Sequence, residues 1–229
     1  TAVCNLASIS LKKFLIPKDT STMLIRIYSK PQCIYCTMAK NLCKEMNIVY
    51  TEEDYNTLLL SGEKPVGVTF PQIYDMTNGT FTHIGGFTDL EKFLRPTFDY
   101  ERLLDVVKVM TRNLNNIIDY NYYPLESTKR SNMRHRPIGI GVQGLANVFY
   151  LMGLSFDSDE AKVINEKIFE HIYYGSMKRS MEIAKEREEL FIKLKSYMSE
   201  TDGLRFPDDY YSLKEDIGCT SEELDKLYK

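Results

Sequence analysis

Two cysteines three residues apart, Cys33 and Cys36, stand between an alternating run and a helical one, and this placement constrains the fold more than any other feature. Residues 24–30, Leu-Ile-Arg-Ile-Tyr-Ser-Lys, alternate apolar and polar with the period of a strand. Residues 34–46 read as a helix that begins at the cysteine pair. The pattern then predicts a strand over 47–51, a short helix over 52–61, a hairpin of 72–76 and 80–84 about Asn78-Gly79, and a helix over 88–94. Asn-Gly is a strong hairpin signal because both residues accept positive φ. The order is β-α-β-α-β-β-α. Its strand–helix–strand opening requires a parallel pair with a right-handed crossover, and the hairpin adds antiparallel strands.

The pair sits where thiol chemistry needs it. Orphan N–H groups and the positive end of a helix dipole stabilise a thiolate, and Lys30 adds a positive charge. Cys33 is therefore the expected attacker, with a lowered pKa. Cys36, one turn on and deeper, can resolve a mixed disulfide. The competing reading is two core cysteines that happen to lie three apart. Zinc needs four ligands in a closed site, yet there is no second C-x-x-C, and His83, His135 and His171 show no ligand spacing. The cysteines number five, an odd and sparse set that argues against a secreted disulfide framework and for a reducing, cytoplasmic compartment. Cys43 reads as a small buried hydrophobe.

The 229 residues suit one large domain or two small ones, and 43% apolar content supplies a core. A net charge of −3 and a pI near 5.7 give no support for nucleic-acid binding. No apolar run approaches the roughly 18 residues of a membrane span. Thr1-Ala2-Val3-Cys4 lacks the basic and apolar regions of a signal peptide. The first residue is not Met, so the chain is expected to begin inside a larger reading frame.

After Pro96 the texture changes. Asp99 can cap a helix, with Phe98 and Leu103 as a hydrophobic staple. Leu103, Val107, Met110, Leu114 and Ile117 follow at helical spacing, and residues 121–124, Asn-Tyr-Tyr-Pro, end the run. Residues 138–149 are nearly uncharged and Gly-rich, as suits a buried strand entering a helix. Asp157 with Glu160 forms a capping box for a long helix from 158 to beyond 180. Nearly half of residues 185–229 are charged, and Gly203, Pro207 and Gly218 interrupt them; short helices or partial disorder are expected there.

Three motifs resemble glutaredoxins in order and spacing: residues 30–36 (Lys-Pro-Gln-Cys-Ile-Tyr-Cys), 69–72 (Thr-Phe-Pro-Gln) and 85–89 (Gly-Gly-Phe-Thr-Asp). The resemblance covers about 70 residues. It implies that Cys33 is the glutathionylated nucleophile and Cys36 the resolving thiol. Lys30 and Tyr35 would line a glutathione cleft, Pro71 would be cis, Phe70 would pair its backbone with the tripeptide, and Thr88 and Asp89 would hold its γ-glutamyl end. The family's usual proline between the cysteines is Ile34 here, which leaves the redox potential open.

The flanking residues resemble another family. Residues 4–11 (Cys-Asn-Leu-Ala-Ser-Ile-Ser-Leu), 111–119, 121–124 and above all 130–146 are similar to the large subunit of class I ribonucleotide reductase. That resemblance makes Cys4 one of the two active-site cysteines that reduce the ribose. It also makes Gly139, Gly141 and Gly144 shapers of a strand and turn of a ten-stranded barrel. The partner of Cys4, the radical cysteine, the allosteric domain and the substrate-phosphate loop have no counterpart here.

The expected fold is α/β: a thioredoxin-like glutaredoxin domain, with a mixed four-stranded sheet and flanking helices, inserted in a mostly helical fragment of the reductase α/β barrel. Residues 1–22 and 96–185 would be the barrel segments, 23–95 the insert and 186–229 an unassigned charged tail. The leading functional expectation is a glutathione-dependent, glutaredoxin-type disulfide oxidoreductase within a partial reductase large subunit that is inactive alone. Its expected partners are glutathione, the remainder of that subunit and the small radical subunit. One alternative is a fragment that complements a split barrel, with the redox module a passenger. Another is an iron–sulfur scaffold built through Cys33 and glutathione.

Overall fold

The computed structural model describes residues 3–60, 69–77, 79 and 81–200. Along the chain run β1 (Asn5–Ser10), β2 (Leu15–Ile16), β3 (Leu24–Ser29), α1 (Ile34–Glu45), β4 (Val49–Asp54), α2 (Tyr55–Leu60), β5 (Gln72–Asp75) and β6 (Thr82–Gly85). They are followed by α3 (Phe87–Phe93), β7 (Thr97–Phe98), α4 (Tyr100–Tyr120), α5 (Glu126–His135), β8 (Ile138–Gln143), α6 (Leu145–Leu151) and α7 (Asp159–Glu200). A 3-10 turn covers Leu11–Phe14. The chain divides into two compact units. Among the described residues, the first takes 3–14, Asp99–Leu145 and 157–200; the second takes those within Leu15–Phe98 and Ala146–Phe156.

The second unit is built on a mixed sheet in the order β4-β3-β5-β6. β3 and β4 are parallel, from Leu24 opposite Val49 to Ser29 opposite Asp54, whereas β5 is antiparallel to both β3 and β6. The alternation in β3 sends Ile25 and Ile27 to one face, where they join Ile73, Ala39, Cys43 and Leu90 in a closed core. Truncating any of these isoleucines to alanine would cost about 2–5 kcal/mol. The opposite face carries Tyr28 and Tyr74, with Tyr55 and Phe81 against them. Cys43 is fully buried, and desolvation pushes its thiol up to about 11, so it behaves as a hydrophobe.

Two boundaries differ from the sequence expectation. The strand expected over 47–51 is β4, Val49–Asp54, and the following helix starts at Tyr55 instead of residue 52. Residues 51–54, Thr-Glu-Glu-Asp, look helical or loop-like by polarity alone. They stay in the ladder because β4 is an edge strand, where charged side chains reach water and discourage further pairing. Asn78 of the expected turn lies outside the described residues, although β5 and β6 do pair as a hairpin.

In the first unit β1 and β8 pair in parallel, from Asn5 opposite Ile138 to Ser10 opposite Gln143. Among the described residues neither strand has a second neighbour, and no barrel closes. β8 is therefore half-exposed, and exposed at Gly141 and Gln143, instead of buried as its composition suggested. Asp99 caps α4 by accepting from the Arg102 N–H at 2.9 Å. The buried stripe of α4 is Leu103, Val107, Thr111, Leu114 and Ile118. Met110 and Ile117, expected in that stripe, lie beside it; Thr111 is tolerated inside because its hydroxyl donates to the Val107 carbonyl at 2.8 Å.

α7 packs along α4. It begins at Asp159, and the Ser158 hydroxyl accepts from Ala161 N at 3.1 Å, so the cap is one residue later than expected. The helix then runs on to Glu200, through a stretch expected to be broken or loose; the breakers Gly203, Pro207 and Gly218 lie outside the described residues. α5 ends on Arg136, which has φ 46° despite its side chain. Its guanidinium grips Asp119 through two bonds of 2.9 and 2.8 Å and Asn115 through two of 2.6 Å, enough to hold an otherwise strained backbone.

Candidate functional site

Each unit carries a cysteine-bearing site. In the second unit, β3 ends at Ser29 and the turn leads to Cys33, which occupies the N-cap of α1. Cys33 and Cys36 are joined as a disulfide, with Cα atoms 5.3 Å apart. The Cys36 N–H points at the Cys33 sulfur at 3.2 Å, as an N-cap acceptor requires. Cys36 is buried, while Cys33 is part-exposed at the mouth of a cleft of about 520 Å³. Lys30 lines that cleft too, with its ammonium 3.7 Å from the centre of the Phe70 ring and 5.0 Å from that of Tyr55.

The other residues expected around it, Tyr35, Phe70, Pro71, Thr88 and Asp89, do not line this cleft; Asp89 lines a separate hollow with His83 and Phe93. The Phe70–Pro71 bond is cis and Pro71 is buried. Tyr35 is exposed, its ring 6.2 Å from that of Phe87. Thr88 and Asp89 stand exposed in the first turn of α3, and an Asp89 carboxylate oxygen accepts from Gly86 N at 2.9 Å. Gly85, at φ 128°, leaves the space that this carboxylate fills; a Cβ there would collide with it. Gln72, fully buried, donates to the Thr69 carbonyl at 2.7 Å and accepts from His83 Nε2 at 2.8 Å, which fixes the proton on that nitrogen.

Sequence reasoning missed Glu52. Its carboxylate, on the same cleft, accepts from the Ser29 hydroxyl at 2.5 Å and from Lys40 Nζ at 2.8 Å. These bonds, Lys40 first and Ser29 second, hold its pKa below the ordinary value. Only the parallel register of β4 on β3, which polarity hid, could have revealed the contact.

In the first unit Cys4 is a free, exposed thiol one residue before β1. β1 and α4 frame an apolar groove of about 480 Å³, walled by Leu6, Val106, Val109, Met110 and Ile117. Leu6 is 71% exposed and Val109 60%, large values for aliphatic side chains facing a common hollow. Gly139 and Gly141 lie in β8, and Gly144, at φ 79°, makes the turn into α6, as expected. Among the described residues, no group of three His, Cys, Asp or Glu side chains could hold a metal ion. None of the described helices is long and apolar enough to cross a membrane.

A family described as "Ribonucleotide reductase, barrel domain" matches residues 34–217. The ribonucleoside-diphosphate reductase large subunit of Arabidopsis thaliana is 61% identical over 87 residues, 38% of this chain and 11% of that protein. The protein of the same name from Acanthamoeba polyphaga mimivirus is 55% identical over 91 residues, 40% of this chain and 10% of its own length. That of Caenorhabditis elegans is 55% identical over 97 residues, 42% and 12% respectively. The chain thus spans about a tenth of the length of the curated relatives it matches.

These matches correct the leading expectation about catalysis. All three relatives bear the name of a reductase large subunit, and none that of a glutaredoxin. The family match, moreover, runs through most of the four-stranded unit. A glutaredoxin-type disulfide oxidoreductase is therefore not its enzymatic identity.

Proposed function

Because the chain belongs to the ribonucleotide reductase barrel-domain family, we propose that it serves deoxyribonucleotide synthesis as a segment of a ribonucleoside-diphosphate reductase large subunit, completed by the rest of that subunit. The observation that carries this reading is the unfinished sheet of the first unit. Parallel sheets are found almost only with both faces covered and several strands paired, and an isolated two-stranded sheet is marginal in water. Here a parallel pair has two open edges among the described residues, and the groove beside it exposes Leu6 and Val109. Such a surface is complete only with further strands and an apolar cover.

In the completed subunit, Cys4 is the sulfur this chain brings to ribose reduction, beside a partner cysteine from the missing part. The small radical subunit is the second partner. Mixing the chain with the complementary remainder of the large subunit and with the small subunit should restore reduction of ribonucleoside diphosphates that neither part performs alone. Cys4→Ser should abolish it. No turnover in the mixture would overturn the complementing reading, and unchanged turnover in Cys4→Ser would overturn the role of that sulfur.

A narrower reading concerns the four-stranded unit. We infer that residues 23–95 form a thioredoxin-like insert carried as a passenger of the reductase. The Cys33–Cys36 bond at the start of α1 and the mixed four-stranded sheet support it. Its cleft is proposed to admit glutathione along Lys30, Tyr35, Phe70 and Pro71 toward Thr88 and Asp89. Titration of the oxidised chain with glutathione, followed by the amide resonances of Lys30, Tyr35, Phe70, Thr88 and Asp89, checks this; shifts confined elsewhere would contradict it.

A further inference from the structure

We propose that Asn132 is a positioning residue that holds Cys4 at a fixed point, and this rests on the reading of Cys4 as a redox sulfur of the completed reductase. The ladder of β1 on β8 begins at Asn5 opposite Ile138 and does not reach Val3. Val3 is gripped instead by one side chain. Its N–H donates to Asn132 Oδ1 at 3.0 Å, and its carbonyl accepts from Asn132 Nδ2 at 2.6 Å. A primary amide can make that two-point clamp because it carries a donor and an acceptor side by side.

Asn132 is fully buried, and its position is inherited from a rigid frame. It lies one turn before the end of α5, where its carbonyl accepts from Arg136 N at 2.8 Å. Arg136 in turn is locked to Asp119 and Asn115 of α4. On the other side of Cys4, Asn5 is 5% exposed and its Oδ1 accepts from Asn121 Nδ2 at 3.1 Å. Both neighbours of Cys4 are thus pinned by amides, while Cys4 itself projects as an exposed free thiol. A backbone fixed on each side of an exposed side chain is the arrangement that presents a sulfur to a partner in constant geometry. Asn5 Nδ2 is left buried with no acceptor among the described residues, an opening beside Cys4 for a polar group of the completing subunit.

The test separates positioning from mere support of β1. In the full chain with Cys219→Ser and the Cys33–Cys36 bond kept oxidised, a nitroxide is placed on Cys4; a control carries it on Ser8→Cys in a Cys4→Ser background. The spectrum of the unaltered chain should be ordered at both positions. Asn132→Leu should mobilise the label at Cys4, leave the label at Ser8 unchanged, and speed exchange of the Val3 amide roughly tenfold. In the reconstituted reductase it should lower kcat by roughly tenfold to a hundredfold at unchanged KM. A mobile label on Cys4 in the unaltered chain overturns the proposal even if Asn132→Leu fails to fold. So does equal mobilisation at both positions, or an unchanged kcat in Asn132→Leu. Cys4→Ser in the same assay decides the underlying reading separately: if turnover survives without the sulfur, that reading fails, whatever the labels report.

Discussion

Two residues show how single side chains set the behaviour of their surroundings. Arg136 accepts a left-handed backbone because its guanidinium meets a carboxylate that is almost wholly buried. Replacing it by methionine leaves Asp119, among the described residues, with Arg187, 3.7 Å away, as its remaining ion-pair partner. Breaking such a pair one-sidedly leaves a buried charge, so Arg136→Met should destabilise the chain by roughly 3 kcal/mol, measured as a fall in the urea midpoint. Glu52 gives a pH signature. Its pKa is depressed by Lys40 and Ser29 from an ordinary value of 4.5. The folded state therefore releases that proton more readily than the unfolded one. The stabilisation is present above pH 4.5 and is lost as pH falls through the depressed value. Plotted against pH, the urea midpoint of Glu52→Gln should fall less steeply below 4.5 than that of the unaltered chain. Parallel curves would contradict the account.

At the scale of elements, α4 and α7 come close because α7 has no side chain at Gly175. A Cβ there would lie 2.9 Å from Leu104 Cδ1 and 3.1 Å from Val107 Cγ1. Alanine would have to push flexible methyl groups aside while gaining helix propensity, two effects of opposite sign. Leucine has no such offset, and Gly175→Leu should cost about 1–3 kcal/mol by overpacking, read as a lower midpoint with unchanged slope. The elements legible in the sequence are those whose signal is local. β3 announced itself by alternation, α1 by the cysteine pair, α3 and α4 by periodicity and a cap. β4 was misplaced because an edge strand tolerates the charges that normally mark a loop. The stripe on α4 was read one position off at Met110 and Ile117 because a satisfied threonine can replace an aliphatic residue inside a core.

At the scale of the molecule, what could not be read from sequence depends on long-range contact. Cys4 and its context were visible, but the clamp on Val3 joins residues 129 apart. Glu52 reaches Ser29 only after β4 is docked on β3. The half-exposed state of β8 was also hidden, because its composition is that of a buried strand and its covering partners lie in no part of the described chain. That mismatch between an interior-like sequence and an open surface is the reason to regard the first unit as part of a larger barrel. Val109→Asp tests this directly, since Val109 is exposed in the isolated chain and its replacement there should shift stability by no more than about 0.5 kcal/mol. Sedimentation of the chain with the complementary remainder of the large subunit is the decisive measurement. A one-to-one complex is expected with the unaltered chain, and its loss with Val109→Asp. Two independently sedimenting species, or a complex indifferent to the aspartate, would contradict it.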